Sequence, residues 1–327
     1  MKDLMKIDHL STYFVNGTDQ VKAVDDVSLR VREGETVCIV GESGCGKSVT
    51  AMSIMGLVEE PGGKIVNGEI HFEGRDLLQL SKNELRTLRG NEISMIFQEP
   101  MSSLNPVLKI GQQIMEPLIV HQKLSKKDAR NRAIELIEQV GISRAAQIAD
   151  SYPHELSGGM LQRIMIAIAI SSSPKLLIAD EPTTALDVTI QAQILDMLRK
   201  FKEQSNMSIM LITHDLGVVA EMADYVIVMY AGKIVEEGEV VKLFQNPKHP
   251  YTQGLLKSKP VINQRQDELY SIPGQVPNPL ELTESCYFHD RCEHCMDICR
   301  TKRPELKEVA EQQKTACWLY EEALVNA

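Results

Sequence analysis

The sequence has no apolar run long enough to cross a lipid bilayer. A membrane-spanning helix needs roughly 20 consecutive apolar residues, whereas apolar stretches such as IMIAIAI at 164–170 have the length of core elements. The N-terminal residues MKDLMKIDHL also lack the apolar stretch of a secretory signal peptide. We therefore predict a protein that is not secreted and that works on the cytoplasmic side.

The sequence also has no excess of basic residues. The chain has 35 Lys and Arg residues against 45 Asp and Glu residues, a formal net charge of −10. Because binding to nucleic acid phosphates calls for a basic surface, we predict no nucleic acid partner. A length of 327 residues with 43% hydrophobic residues predicts one large domain and a smaller one.

Cysteine is scarce until the C-terminal part of the chain. Five of the seven cysteines lie between residues 286 and 317: Cys286, Cys292, Cys295, Cys299 and Cys317. Disulfides are rare in the cytoplasm, so this group favours a metal site. Zinc prefers close pairs, and Cys292 with Cys295 forms only one such pair. Iron–sulfur clusters also bind through four thiolates at more variable spacing, so both metals remain candidates here.

The order of patterns along the chain indicates an α/β protein. The buried strand TVCIV at 36–40 leads into a glycine-rich loop and a helix, and residues 99–150 have helical spacing. The runs KLLIAD at 175–180 and SIMLITH at 208–214 are typical of buried parallel strands. From about residue 245 proline and polar residues become frequent, which predicts an irregular C-terminal module.

The loop GESGCGKS at 41–48 fits the phosphate-binding pattern G-x-x-x-x-G-K-[ST]. It lies between a strand and a helix, as that function requires, because backbone N–H groups and the helix N-terminus then face the phosphates. We expect Lys47 to reach the β- and γ-phosphates and the Ser48 hydroxyl to bind Mg²⁺. Cys45 is expected to be a small tolerated residue rather than a catalytic thiol, although a thiol here could make an ATPase sensitive to oxidation.

A second carboxylate motif follows an apolar strand in LLIADEP at 176–182. Asp180 at the strand end is expected to hold Mg²⁺ through water. Glu181 is placed to orient and deprotonate the attacking water.

The segment LSGGMLQR at 156–163 resembles the signature sequence of the ATP-binding cassette (ABC) ATPases. The resemblance extends in order over about residues 1–250: Gln98 matches the glutamine loop, TTALD at 183–187 the D-loop, and His214 the switch histidine. Phe14 falls where the family has its adenine-stacking aromatic residue, and the neighbouring Tyr13 is an alternative.

This resemblance implies an ABC-type P-loop fold. Its parts would be an N-terminal antiparallel β region, a RecA-like parallel core, a helical subdomain at about 99–165 and a small irregular C-terminal domain with the cysteines. The implied division is an ATPase domain at 1–250 and a C-terminal domain at 251–327.

The resemblance also implies the nucleotide site. Catalysis would fall to Glu181, His214 and Gln98, and Mg²⁺ would be held by Ser48, Gln98 and Asp180. Two subunits would pair head-to-tail, so that Ser157 and Gly159 of one contact the ATP of the other. The remaining ATP contacts would come from Phe14 and the loop residues Gly41, Ser43, Gly44, Cys45, Gly46, Lys47, Ser48 and Val49.

The C-terminal part is similar to the ATPase subunits of oligopeptide and dipeptide importers. The similarity rests on NPKHPYTQGLL at 246–256, IPGQVPNP at 272–279 and the cysteines, and also on residues 99–118 after the glutamine loop. It implies two transmembrane permease subunits, a second related ATPase in a heterodimer rather than a homodimer, and an extracytoplasmic solute-binding protein. The chain would lie on the cytoplasmic face of the inner membrane.

Three alternatives remain at the level of sequence. The cargo could be another small solute such as a nickel complex, or the chain could be a soluble ABC ATPase without a membrane partner. At the cysteines, the importer resemblance implies a [4Fe–4S] cluster on Cys286, Cys292, Cys299 and Cys317, with Cys295 uninvolved and Zn²⁺ as the alternative metal.

Overall fold

The structure is a computed structural model that describes residues 2–17, 19–58, 61–184, 186–258 and 270–321. Ala185 of the predicted D-loop lies outside these ranges, as do residues 259–269 and 322–327 of the predicted C-terminal domain. Within the described ranges, no helix combines the length and the apolar character that crossing a membrane requires.

Strands and helices alternate along much of the chain. The strands are β1 (Asp3–Asn16), β2 (Asp19–Arg32), β3 (Thr36–Val40), β4 (Gly63–Phe72), β5 (Arg75–Asp76), β6 (Ile93–Ile96), β7 (Leu176–Asp180), β8 (Ser208–Thr213), β9 (Tyr225–Tyr230), β10 (Lys233–Glu239), β11 (Lys307–Ala310) and β12 (Gln313–Thr315). The helices are α1 (Lys47–Ile54), α2 (Lys82–Leu88), α3 (Pro100–Ser103), α4 (Ile110–Gln122), α5 (Lys126–Gln139), α6 (Ala145–Ala149), α7 (Gly158–Ile170), α8 (Val188–Ser205), α9 (Leu216–Met222), α10 (Val240–Gln245), α11 (Pro250–Lys257) and α12 (Asp297–Thr301).

The chain divides into two compact units. The first unit comprises Met1–Leu4, Val31–Thr36 and Asp76–Ile212, and the second comprises Met5–Arg30, Val37–Arg75 and Thr213–Ala327. Each unit carries part of the predicted machinery, so each is described separately.

In the first unit, parallel strands are ordered β8–β7–β6. Every residue of β6 and β7 is buried, which explains why these strands are apolar without alternation. The carboxyl ends of parallel strands meet at one edge of a sheet. The residues that follow β6 and β7 are therefore brought to the same edge.

The stretch between β6 and β7 folds into helices α3–α7. Helix α5 shows how the sequence fixes them: the Ser125 side chain accepts a hydrogen bond from the Asp128 N–H at 3.2 Å and caps the helix. Ala129, Ala133 and Ile137 form its buried face. Gly141 follows the helix with φ +76°, a conformation that glycine adopts without strain. The helix predicted for this stretch is confirmed.

The second unit contains an antiparallel sheet ordered β2–β1–β4–β5, in which β1 pairs with β4. It also contains strands ordered β11–β12–β10–β9–β3, with β3 and β9 parallel. Strands β9 and β10 form an antiparallel hairpin through Ala231 and Gly232, both with positive φ.

The C-terminal part has more regular structure than its proline-rich sequence indicates. Strand β12 pairs with β10, so the hairpin β11–β12 extends the sheet of the second unit. The short strand Gln313–Thr315 has only three residues, too few to show a pattern. Its place is fixed by pairing with β10, a contact that sequence periodicity does not report.

The buried strand β7 supports the acidic motif at its end, and we expect its packing to be sensitive to truncation. Ile178 is fully buried, so Ile178→Ala should lower the free energy of unfolding by about 2–5 kcal/mol through lost burial and a residual cavity. Val188, which is 82% exposed in the same unit, provides the control. Urea denaturation of both variants measures the difference, and an equal effect of Val188→Ala would contradict this packing.

Candidate nucleotide and thiol sites

The glycine-rich loop lies between β3 and α1 in the second unit. The Lys47 side chain is buried and folds back over the loop, where its Nζ donates to the carbonyl oxygens of Gly41 at 2.8 Å and Glu42 at 3.0 Å. Ser43 and Gly44 are exposed at the tip, and Ser48 and Val49 are half-buried at the start of α1. The loop thus presents exposed backbone beside a lysine that is already held in place.

Two glycines of this loop lie against neighbouring backbone. A Cβ atom at Gly46, which has φ +102°, would lie 2.3 Å from the carbonyl oxygen of Ala23. A Cβ atom at Gly41 would lie 2.2 Å from the carbonyl oxygen of Met229. Since no side chain fits at either position, glycine is required for the loop to follow this path.

Cys45 is a buried part of this loop. Burial raises the pKa of the Cys45 thiol, although the nearby Lys47 acts in the opposite direction. A thiol that stays protonated is a poor nucleophile and reacts slowly with oxidants. The structure therefore agrees with the interpretation of Cys45 as a small packing residue.

The two candidate adenine-stacking residues differ in their surroundings. The Tyr13 hydroxyl donates to Asp25 at 2.9 Å, and the Lys22 ammonium lies 5.8 Å from the Tyr13 ring centroid. Phe14 lies beside Gly63, where an added Cβ atom would be 2.7 Å from the ring. Tyr13 is thus held by a hydrogen bond from its hydroxyl, whereas Phe14 packs against Gly63.

Asp25 is a buried residue whose carboxylate contacts several charged and polar side chains, and the sequence did not indicate this role. Besides Tyr13, its carboxylate contacts Lys233 at 3.2 Å, Arg303 at 3.1 Å and the Tyr287 hydroxyl at 3.3 Å. Burial works to raise the pKa of Asp25, but Lys233, Tyr13 and Arg303 together hold it below its usual value. The ionised carboxylate therefore links a strand near the nucleotide loop to the cysteine-bearing segment.

In the first unit, the structure brings two predicted catalytic residues together. Gln98 follows β6 and Glu181 follows β7, and the Gln98 side-chain amide donates to the Glu181 carboxylate at 3.1 Å. Thr184 also donates to this carboxylate, at 2.8 Å. Glu181 has φ +47°, and its N–H donates to Ile212 at 2.9 Å. Asp180, one residue earlier, is buried at the strand end.

The signature segment forms an exposed helix start in the same unit. Ser157 is the N-cap of α7, and its hydroxyl accepts from the Met160 N–H at 3.4 Å. A Cβ atom at Gly158 would meet no atom within 4 Å, and one at Gly159 would meet only Ile190. This helix start therefore lies at the surface, with Ser157 and Gly158 exposed, a geometry that favours anions.

His214 lies in the second unit, directly after β8, and is exposed. The next residue, Asp215, caps α9 by accepting from the Gly217 N–H at 2.7 Å. The cap fixes the backbone that carries His214, and leaves the imidazole at the surface.

Four of the five C-terminal cysteines share one small cavity. Cys286, Cys292, Cys299 and Cys317 line a space of about 10 Å³, together with His249, Phe288, His289, His294 and other residues. Cys295 does not line it, and its Sγ lies 3.6 Å from the Met296 carbonyl oxygen. The four cysteines that the importer resemblance singles out therefore all lie in the wall of this cavity.

Thiolates are the ligand type that soft metals prefer. Burial raises the pKa of Cys286 to about 12 and that of Cys317 to about 11, so these thiols are protonated at neutral pH unless a cation is present. Among the described residues, no three His, Cys, Asp or Glu side chains are already grouped as a metal site. The donor set fits a thiolate-bound metal, but the side chains would have to move to bind one.

Comparisons with known proteins define the class of this chain. Residues 24–184 match the ABC transporter family, and residues 235–299 match the C-terminal region of oligopeptide/dipeptide transporters. The fold is similar to that of a dimeric ATP-binding cassette in a post-hydrolysis state bound to ADP and Pi, at 29% identity and a TM-score of 0.66. That likeness covers 72% of this chain and 98% of the other. Fold and motifs together define an ABC-type ATPase, as the sequence predicts.

Similarity to curated proteins extends over nearly the whole chain. The oligopeptide transport ATP-binding protein AppD of Bacillus subtilis is 55% identical over 98% of each chain. The dipeptide transport ATP-binding protein DppD of Escherichia coli is 49% identical over 96% of each. This chain belongs to the ABC transporter ATP-binding family, in the group with the oligopeptide/dipeptide transporter C-terminal region.

The contacts of Glu181 generate a prediction about turnover. Glu181→Gln keeps the size of the side chain but removes the predicted base, so ATP hydrolysis by the assembled complex should fall by at least about 100-fold. ATP binding, measured by equilibrium titration, should persist. Glu203→Gln, at an exposed position of α8, is the matched control. Wild-type turnover in Glu181→Gln would show that another group accepts the proton.

Proposed function

We propose that this chain is an ATP-hydrolysing subunit of a membrane ABC importer and that it energises the uptake of dipeptides or oligopeptides. The observation that carries this proposal is the similarity over 98% of the chain to an oligopeptide transport ATP-binding protein, including the C-terminal region. We divide the chain into the ATPase domain at 1–250 and the C-terminal domain at 251–327.

In this proposal, Glu181 is the base that takes a proton from the attacking water. Gln98 and Thr184 donate to its carboxylate, and these contacts orient the oxygen that receives the proton. His214 would contact the γ-phosphate from its exposed position after β8. The left-handed backbone at Glu181 supports the assignment, because such conformations are frequent at functional positions.

The phosphates would be held by the loop at 41–48 and by Lys47. In the structure Lys47 is bound to two loop carbonyls, so binding of ATP would exchange these contacts for phosphate oxygens. Mg²⁺ would be held by Ser48, Gln98 and Asp180, whose oxygen atoms suit this hard cation and which would place its charge near the phosphates. Phe14 would stack on the adenine.

Two ATPase subunits would pair head-to-tail. Ser157 and Gly159 of one subunit would then contact ATP bound by the other, with the partner being a second homologous ATPase. The N-terminus of α7 supports this role, because it lies at the surface and its partial positive charge favours an anion. ATP would hold the two subunits together, and hydrolysis would release them.

The two transmembrane permease subunits would dock on the first unit after the glutamine loop. Exposed apolar side chains are concentrated there: Phe97 is 39% exposed, Met101 63%, Val107 76% and Leu108 36%. A patch of this kind on a surface marks an interaction site. The chain would thus lie on the cytoplasmic face of the membrane, and it would communicate with the external solute-binding protein only through the permeases.

A docking test separates this importer from a soluble ATPase. The double variant Met101→Asp/Val107→Asp places two charges in the patch, so the chain should leave the membrane fraction and peptide uptake should fall at least about tenfold. Val188→Asp is the control at another exposed position of the same unit. The measurements are membrane sedimentation and uptake of labelled peptide in cells that express all subunits.

The same assay decides the cargo. Uptake of labelled di- or oligopeptide supports peptide import. Uptake of a nickel complex without peptide uptake would show that the cargo is the nickel complex. A wild-type chain that stays soluble while all membrane subunits are present would overturn the importer proposal.

We also propose that Cys286, Cys292, Cys299 and Cys317 hold a [4Fe–4S] cluster. The shared cavity supports this ligand set, and the position of Cys295 outside it supports the exclusion of Cys295. Such a cluster would act as a staple for a segment that has little hydrophobic core of its own.

Paired cysteine variants test this ligand set. Anaerobically purified wild type and Cys295→Ala should be brown and contain about four iron atoms and four acid-labile sulfides per chain. Cys292→Ala should lose the colour and most of the iron. A colourless wild type that contains zinc would show that the site binds zinc and not a cluster. Loss of iron in Cys295→Ala would contradict the ligand set.

A further inference from the structure

Arg291 lies between Cys286 and Cys292 in the stretch 286–317 that carries the cysteines, called the thiol segment below. It connects this segment to the glycine-rich loop at 41–48, called the nucleotide loop. Its guanidinium makes a two-pronged contact with the Glu42 carboxylate, with nitrogen–oxygen distances of 2.7 Å and 3.1 Å. The Arg291 side chain is only 5% exposed. Paired arginine–carboxylate contacts of this kind fix orientation as well as distance.

The Arg291 side chain is held by residues before the first of these cysteines and by one residue of the cavity wall. Its Nε donates to the carbonyl oxygen of Pro273 at 2.9 Å, and its other nitrogens reach Ile272 and the Tyr230 hydroxyl at 3.3 Å. The guanidinium also lies 5.9 Å from the Phe288 ring centroid. Phe288, like Cys286, lines the thiol cavity. Movement of the cavity wall would therefore move Arg291.

Glu42 is the second residue of the nucleotide loop, and three of its groups are held. The side chain binds Arg291, the N–H donates to the Tyr251 hydroxyl at 2.8 Å, and the carbonyl accepts from Lys47 at 3.0 Å. Tyr251 is fully buried, and its ring packs against Tyr230 and Phe288 with centroid distances of 4.7 Å and 5.5 Å. All these residues lie in the second unit.

We propose that Arg291 and Tyr251 are positioning residues of the nucleotide loop, and that through them the order of the thiol segment sets the affinity for ATP. This inference rests on the proposed function, in that the loop binds ATP and the four cysteines hold a metal. Neither residue takes part in proton transfer. They raise the fraction of molecules in which the loop already has the binding geometry. The apparent dissociation constant for ATP falls as that fraction rises.

ATP binding would thus depend on residues that lie far from the loop in sequence. Arg291 is 249 positions from Glu42, and Tyr251 is 209 positions from it. Loss of the thiol-bound metal would loosen the segment, weaken the hold on Glu42 and raise the KM for ATP. Turnover at saturating ATP would be retained, because the base and the signature segment are untouched.

Conservative variants test the positioning role. In Arg291→Lys the charge remains but the two-pronged contact is lost, and in Tyr251→Phe only the hydroxyl is lost. Each should raise the dissociation constant for a fluorescent ATP analogue by about five- to tenfold on the full-length chain, a coupling of ordinary size. In the assembled complex KM should rise in parallel, with kcat changed less than about twofold.

A mutant cycle and a control make the result specific. If Arg291 acts through Glu42, the double variant Arg291→Lys/Glu42→Gln should bind ATP no more weakly than the weaker single variant. Arg300→Lys is the matched control, because Arg300 is exposed and its ion pair is with Asp290 at 3.7 Å. ATP binding within twofold of wild type in both Arg291→Lys and Tyr251→Phe would overturn the proposal, as would strictly additive effects in the cycle.

The metal-dependent part has its own readout. Cys292→Ser should lose the metal and raise the dissociation constant for ATP to the level of Arg291→Lys, while Arg291→Lys should keep its metal. Loss of metal with unchanged ATP binding would overturn the coupling. A wild type that holds no metal would instead refute the cluster proposal, and the Arg291 and Tyr251 variants alone would then decide the positioning role.

Discussion

The nucleotide loop follows a path that brings its backbone against two neighbouring segments of the second unit. At Gly41 the neighbour is the carbonyl oxygen of Met229, and at Gly46 it is that of Ala23. Lys47 folds over the same loop and donates to two of its carbonyl groups. The exposed tip at Ser43 and Gly44, the start of α1 and the contacts of Glu42 all depend on this path.

A second constraint is the cost of burying charge. Asp25 and Arg291 are buried in the second unit, and each would be expensive without a partner. Asp25 is compensated by Lys233 and Arg303, and Arg291 by Glu42. Both sets of contacts join the C-terminal segment to strands and loops from the first 75 residues. The C-terminal segment is therefore built into the unit that carries the nucleotide loop, and hairpin β11–β12 adds to the same sheet.

The acidic motif illustrates how parallel strands create a site from separate sequence motifs. Gln98 and Glu181 are 83 residues apart, but β6 and β7 are neighbours with their carboxyl ends at one edge. The helices between these strands provide the exposed start of α7. The first unit thus holds Glu181, Gln98 and the signature segment, while the nucleotide loop and His214 belong to the second.

The local motifs were predictable because their chemistry dictates residue type and spacing. The loop GESGCGKS, the strand end at Asp180 and the signature segment each lie within one short stretch, so their spacing and residue types are visible in the sequence. The proposed set of four cysteine ligands came from family resemblance rather than from spacing.

Only the tertiary structure decided which distant residues meet. No local pattern distinguishes Arg291 from the other charged residues near the cysteines, or Asp25 from the adjacent Asp26. Their roles come from burial, since a charge removed from water must find a partner wherever the fold supplies one. The same holds for Tyr251, whose hydroxyl reaches the nucleotide loop across 209 positions of sequence. The sequence by itself determined the chemistry of the loop, and three-dimensional packing determined what holds it in place.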